Sequence, residues 1–302
     1  MTKNWLKGPD LPCAFGLVGA GAMSLPATIA FVGAGGKTSA MFSLAEAMAV
    51  WPGAPCRVIV TTTTHIRDPR SEGARRRKIF GRVLFAPDFA QEKSEPAGDG
   101  AAAANPKAHR WSAALGGDQF PLVLASGRLA CENRLCGIHP SRAEELERHC
   151  DLLLVEADGS RGLPVKAPAW HEPVIPPNAA LVVGVIGLDC LGKALGPGVA
   201  HRPEILGPLV GCAQGQKIEP RHLNLLVRSP QGLFKGCPPS CRRVVLLNKA
   251  DTVPEDLVDP LLELLGSRRG EAFPAIVCSL RGAEYGEQGE QGTEERRRGD
   301  GV

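Results

Sequence analysis

The chain has no CxxC pair, no marked excess of charge of either sign, and no charged side chain at all over residues 11–36. Each lack excludes something. Ten cysteines stand at positions 13, 56, 131, 136, 150, 190, 212, 237, 241 and 278, and the closest spacings, Cys131 to Cys136 and Cys237 to Cys241, match neither zinc nor thiol-redox patterns. Lys+Arg of 35 against Asp+Glu of 32 leaves +3, so bulk charge gives no ground for a nucleic-acid partner and none is expected. The uncharged stretch has the length of a membrane span, but Pro12, Pro26 and six glycines break it, so a buried strand between turns is expected there and no membrane association. The first residues, MTKNWLKGPD, lack a charged-then-apolar signal architecture. A cytoplasmic protein with reduced thiols is the expectation.

What is present is enough chain for a large core. The length of 302 residues is about twice the 150 that serve as a guide per domain. Hydrophobic residues at 43% and charged residues at 22% are ordinary for a globular protein, while Gly 36 and Pro 26 imply many loops. Residues 1–280 are expected to form a single domain. Within it, residues 89–118, rich in Ala, Gly, Pro and charge, read as a flexible insertion, and residues 281–302 as a disordered polar tail with almost no apolar side chain to offset its ordering.

Short apolar runs end in polar or Gly-containing clusters: 28–32, 57–60, 121–125, 152–155, 181–186, 244–247 and 275–278. Continuous Val, Ile and Leu in such runs mark strands covered on both faces. Helical patterns over 38–48, 140–149 and 254–266 fall between them. The fold class that follows is α/β, a mostly parallel sheet with helices on both faces in a P-loop NTPase-like, three-layer architecture. Chemistry in such sheets gathers at the carboxyl ends of strands.

The first run leads into Gly33-Ala34-Gly35-Gly36-Lys37-Thr38-Ser39 and then into the apolar-periodic AMFSLAEAM. A glycine-rich turn between strand and helix lets backbone N–H groups wrap phosphate oxygens and adds a lysine and a Mg²⁺-binding hydroxyl. The pattern departs from GxxxxGK[ST], since Phe31 stands where the first glycine would fall. An upstream echo, Gly16 to Gly21, has no strand ahead of it and reads as a decoy. The fourth run ends in Glu156-Ala157-Asp158-Gly159-Ser160, where an acidic group facing a P-loop holds Mg²⁺ or orients the attacking water. Lys37, Glu156 and Asp158 are the catalytic candidates, with Thr38 and Asp158 on Mg²⁺.

The sixth run ends in Asn248-Lys249-Ala250-Asp251, which fits N-K-x-D. There the Asp accepts the paired N–H donors of guanine, the Asn braces the loop and the Lys stem covers the base. The same four residues could instead start the helix near Pro254. Ser279 lies where a backbone contact to the base oxygen would fall. Thr61 to Thr64 and His65 follow the second run, and their hydroxyls suit either β-propensity or phosphate, Mg²⁺ and switching. Arg75 to Lys78 read as a solvated helix face.

The stretches VGAGGKTS (32–39), VTTTTHI (60–66), VEADGSRGLPVKAPAWHEPVIP (155–176), VGVIGLDCLGKAL (183–195), HRPE (201–204) and LNKAD (247–251) resemble the YqeC family, accessory proteins of selenium-dependent molybdenum hydroxylases. The resemblance implies a P-loop protein that serves selenium cofactor assembly or insertion, with a molybdenum hydroxylase or another maturation protein as partner; the motifs above add GTP or ATP with Mg²⁺. It supplies no reaction. Lys166, His171, Glu172, Asp189, His201 and Arg202, with Thr63 and Thr64, form a second constellation expected to be a substrate or partner site. Two other readings stay open: a P-loop small-molecule kinase, and a nucleotide-gated metal or cofactor chaperone similar to Glu-type metal-delivery GTPases.

Overall fold

The computed structural model describes residues 6–53, 55–71, 74–91, 115, 120–129, 132–266 and 273–280. Of the expected insertion, residues 89–91 and 115 are described, and Phe89 is buried in a 3-10 turn, Pro87–Ala90. The rest of that insertion and the tail 281–302 lie outside the described residues.

Strands are β1 (Ala27–Gly33), β2 (Val58–Thr62), β3 (His65–Arg67), β4 (Val83–Phe85), β5 (Leu122–Ala125), β6 (Gly127–Leu129), β7 (Arg134–Cys136), β8 (Leu152–Glu156), β9 (Val165–Lys166), β10 (Ala179–Gly187), β11 (Ala200–His201), β12 (Arg242–Asn248) and β13 (Ala275–Val277). Helices are α1 (Leu11–Ala14), α2 (Lys37–Ala49), α3 (Ala74–Ile79), α4 (Ala143–Glu147), α5 (Pro203–Val210), α6 (Pro220–Arg228) and α7 (Glu255–Gly266). Eight strands form one sheet in the order β13-β12-β10-β1-β8-β2-β5-β4, and every pairing in it is parallel. This is the expected α/β class, with β1, the strand that leads into the glycine turn, near the centre.

The central strands are largely apolar because both their faces are covered. On β1, Ile29 and Phe31 pack with Met41, Leu44 and Met48 of α2 on one face. Ala30 and Val32 pack on the other with Leu206 of α5, Leu223 of α6 and Leu261 of α7. Beyond β1, Leu153 and Val155 of β8 meet Leu146 of α4. Three layers result, and each large side chain taken from water contributes about 1.5–3 kcal/mol.

Helices α5 and α6 are absent from the expected elements. Pro203 and Pro220 at their starts, and Gly207 and Pro208 inside α5, obscure the helical period, although proline in a first turn suits a helix start. The second strand also runs on through Thr61 and Thr62, so these two lie within β2 and not after it. The Gly16 to Gly21 echo is a turn after α1. On α3, Arg77 and Lys78 are exposed, whereas the Arg76 guanidinium stacks 4.9 Å over Phe42. The chain start reaches the far edge of the sheet: Leu6 bridges Cys278, and Ser279 N–H donates to Leu6 O at 3.1 Å. Among the described residues no helix is long and apolar enough to cross a membrane.

Candidate functional site

Strand β1 ends where the chain must turn sharply into α2, and three glycines make the turn. Gly33, Gly35 and Gly36 have φ of 92°, 86° and 123°. A Cβ on Gly35 would lie 2.1 Å from Gly187 N, and one on Gly36 2.4 Å from Asn248 Nδ2. Positive φ and close approach thus both require glycine here. Gly33 N–H donates to Asp158 Oδ2 at 3.1 Å, Ala34 N–H to Val185 O at 2.9 Å and Gly35 N–H to Leu163 O at 3.0 Å. The amides left for an anion are those at the start of α2, Gly36 through Ser39, because a helix leaves its first N–H groups without partners.

Lys37 lies in the first turn of α2 with 2% exposure. Its Nζ donates to Gly33 O at 2.6 Å and sits 3.2 Å from Asp158 Oδ1 and 4.0 Å from Glu156 Oε1. The Thr38 hydroxyl donates to Glu156 Oε2 at 2.6 Å. Strand β8, adjacent to β1, thus delivers both carboxylates to the loop, with Glu156 on the hydroxyl and Asp158 among cations. Thr38 and Asp158 are the pair expected on Mg²⁺; the Thr38 hydroxyl bonds Glu156, and Asp158 pairs with Lys37. Ser39 is half-buried one residue further on.

A second lysine ties the P-loop to the other constellation. Lys166, on β9 and 2% exposed, places Nζ 2.9 Å from Asp158 Oδ2, 2.7 Å from Glu172 Oε2 and 2.7 Å from Gly159 O. Arg202 grips the same Glu172 through two nitrogens, at 2.7 and 3.2 Å. The result is a ladder of alternating sign, buried up to its half-buried Arg202 end: Glu156, Lys37, Asp158, Lys166, Glu172, Arg202. Burial alone would raise the Glu172 carboxyl, but hydrogen bonds and charge from Arg202 and Lys166 hold it down at about 2. His201 faces Lys166 across the β9–β11 pair. Burial, and then Arg202 and Lys166, push its imidazole below the ordinary histidine range, and its buried Nδ1 has no hydrogen-bond partner among the described residues.

Strand β12 lies two places from β1 and brings N-K-A-D to the same edge. Asn248 is buried, and its Nδ2 donates to Gly35 O at 2.9 Å while its Oδ1 accepts Leu280 N–H at 3.2 Å. It braces the P-loop against the end of the last strand. Lys249, with φ of 65°, pairs with Asp189 Oδ2 at 2.9 Å. Asp251 is exposed, and Ser279 Oγ donates to its Oδ1 at 2.6 Å.

The remaining candidates divide. Thr62 Oγ1 and Thr63 N–H both bond the Glu156 carbonyl, at 2.6 and 3.1 Å, and Thr63 Oγ1 donates to Val174 O at 2.7 Å. These threonines therefore brace the carboxylate loop. Thr64 bonds back to Thr62. His171 is exposed and stacks edge-on against Trp170 at 5.0 Å. Trp170, 88% exposed, lines a groove of about 630 Å³ with Pro168, Ile205, Pro208, Leu209 and Lys235. Burial pushes the Cys150, Cys190, Cys237 and Cys278 thiols up to about 12, which keeps them protonated. Reading the sequence assigned Lys166 to a separate constellation; its contact with Asp158 has no sequence signal, because it depends on where β9 docks. The carbonyls of Leu163 and Pro164, which clasp Gly35 and Gly187, were missed for the same reason.

No solved structure matches the chain. The family model described as YqeC protein matches residues 29–204, a span that opens in β1 and closes just past Arg202, and so contains the whole ladder. An uncharacterized protein YqeC of Escherichia coli (strain K12) is 34% identical over 234 residues, which is 76% of this chain and 78% of that one. With more than half its length matched by the family model, and a relative of this identity over most of both chains, the chain belongs to the YqeC family.

Proposed function

We propose that this protein binds and slowly hydrolyses GTP or ATP in the cytoplasm as an accessory in the maturation of selenium-dependent molybdenum hydroxylases. One observation carries the nucleotide reading: Lys37, Thr38, Glu156 and Asp158 converge on the glycine turn between β1 and α2, with Thr38 Oγ1 2.6 Å from Glu156 Oε2 and Lys37 Nζ 3.2 Å from Asp158 Oδ1. A hydroxyl beside a carboxylate is the hard-oxygen donor set that suits Mg²⁺. Thr38 and Glu156 would hold the ion, which neutralises charge on the phosphate oxygens when bound. Lys37 leaves Asp158 for phosphate, the amides of residues 36–39 donate to the remaining oxygens, and Asp158 orients the attacking water. Asn248, Lys249 and Asp251 receive the base, with guanine favoured by the paired acceptor geometry of a carboxylate.

The role in hydroxylase maturation rests on family membership. A second reading, a nucleotide-gated delivery protein, is favoured by the ladder, which joins the P-loop to the loop bearing exposed Trp170. Calorimetric titration with Mg-GTP and Mg-ATP tests the nucleotide reading. A charge-assisted phosphate contact contributes about 1.5–3 kcal/mol, so Lys37→Ala should weaken triphosphate binding at least roughly tenfold. Unchanged affinity in a folded variant removes the P-loop assignment.

A further inference from the structure

Beside the P-loop, a tight turn holds an arginine in a conformation that arginine seldom adopts. Leu163 N–H donates to Ser160 O at 3.1 Å, closing a four-residue turn whose central residues, Arg161 and Gly162, have φ of 52° and 75°. Positive φ at both places is the type I′ pattern, which Gly, Asn and Asp supply readily. Arginine there is strained, and such strain persists only where surrounding structure imposes it. The imposing contacts are visible: Gly35 N–H donates to Leu163 O at 3.0 Å, Gly187 N–H to Pro164 O at 2.8 Å, and Lys166 Nζ to Gly159 O at 2.7 Å. The turn is thus fastened on one side to the P-loop and on the other to the ladder.

Its side chain is unlike the other cations of the site. Lys37, Lys166 and Arg202 are each paired with carboxylates. Arg161 is exposed and, among the described residues, makes no hydrogen bond or ion pair. It lies close enough to His201 for its charge to act on that ring. An exposed, unneutralised cation on a strained and fastened backbone turn therefore stands just after Glu156 and Asp158, beyond the end of β8.

We propose that Arg161 contacts the terminal phosphate of a nucleotide held at the P-loop and stabilises the charge that develops on it during transfer. The inference rests on the nucleotide reading above. Water oxygen forms the new bond to the γ-phosphorus as the bridging P–O bond to the β-phosphate breaks; nucleoside diphosphate and inorganic phosphate leave, one water proton staying on the transferred oxygen and the other passing to a phosphate oxygen of the same inorganic phosphate. An arginine supplied from the same chain acts on the equatorial oxygens, where charge accumulates in the transition state.

The test uses the full chain and the variants Arg161→Ala and Arg161→Gly, titrated with Mg-GTP, Mg-GDP, Mg-ATP and Mg-ADP, together with single-turnover hydrolysis. Both variants should keep diphosphate affinity within about twofold, lose the preference for triphosphate by roughly tenfold or more, and hydrolyse at least about a hundredfold more slowly. Arg161→Gly should at the same time melt at a higher temperature, because glycine relieves the turn. A triphosphate-to-diphosphate ratio and rate equal to the parent's, in variants that still respond to Lys37→Ala, would overturn the role of Arg161 and leave the P-loop reading intact. A parent protein whose nucleotide affinity ignores Lys37→Ala would overturn both.

Discussion

Glu172 stands between two cations and is 8% exposed, so its ionised form is held by partners and not by water. Its folded-state pKa of about 2 lies below the ordinary value of 4.5. A depressed carboxyl contributes stability that is fully present above its unfolded pKa and is lost as pH falls toward the folded one. The window is therefore from about 4.5 down to about 2, and the contribution is roughly 3 kcal/mol. Glu172→Gln should destabilise the protein near neutral pH, with the deficit against the parent shrinking steadily as urea unfolding is repeated from pH 5 to pH 3. A deficit that does not change over that range would mean that Lys166 and Arg202 hold Glu172 by shape and not by charge. The same logic separates the two carboxylates of the EADGS element. Asp158 carries two buried lysines, so its amide variant leaves Lys37 with only the more distant Glu156 and Lys166 with only Glu172 as counter-charge, whereas Glu156 bonds the Thr38 hydroxyl.

The connection between β1 and α2 shows what an element demands of its sequence. Ala in place of Gly35 puts a Cβ against the backbone of Gly187 at a φ that alanine resists, and backbone cannot step aside as a side chain can. Gly35→Ala should cost about 3 kcal/mol or more in urea unfolding, from overpacking and left-handed strain together. Gly159→Ala is the control: its φ is not positive and a Cβ there meets nothing within 4 Å, so stability should move by less than about 0.5 kcal/mol. Equal losses in the two variants would contradict the close approach of β1 to β10. Strands and the P-loop turn were legible in the sequence because their signals are local. TIAFV is apolar for the whole width of a covered strand, and GAGGKTS interrupts it with the residues the turn requires. Lys166 and Arg202 were legible only as polar residues in loops. What joins them to Asp158 is the short β9–β11 pair, two residues a side, whose placement no periodicity announces. Helices α5 and α6 were lost to prolines that start them.

Across the whole molecule, the order β12-β10-β1-β8 lines up the carboxyl ends that carry Asn248, Asp189, the P-loop and Glu156. Positions far apart in the chain thus open on one edge, and Asn248 and Gly35 touch directly. Asp251 lies just beyond the end of that edge, after Asn248. If Asp251 accepts the paired donors of guanine, Asp251→Asn should weaken GTP and strengthen xanthosine triphosphate, because the amide donates where the carboxylate could only accept. Competition binding with GTP, ATP and xanthosine triphosphate decides it, and equal affinities for all three in parent and variant would reduce N-K-A-D to the start of α7. One contact bears on how such a comparison is prepared. Ser279, whose hydroxyl holds Asp251, is itself held through its backbone by Leu6. A purification tag fused ahead of Leu6 would therefore act, through the backbone contacts of Leu6 with Cys278 and Ser279, on the residue whose hydroxyl holds the Asp251 carboxylate. Nucleotide preferences measured on tagged and untagged protein should be compared before either is assigned to the molecule.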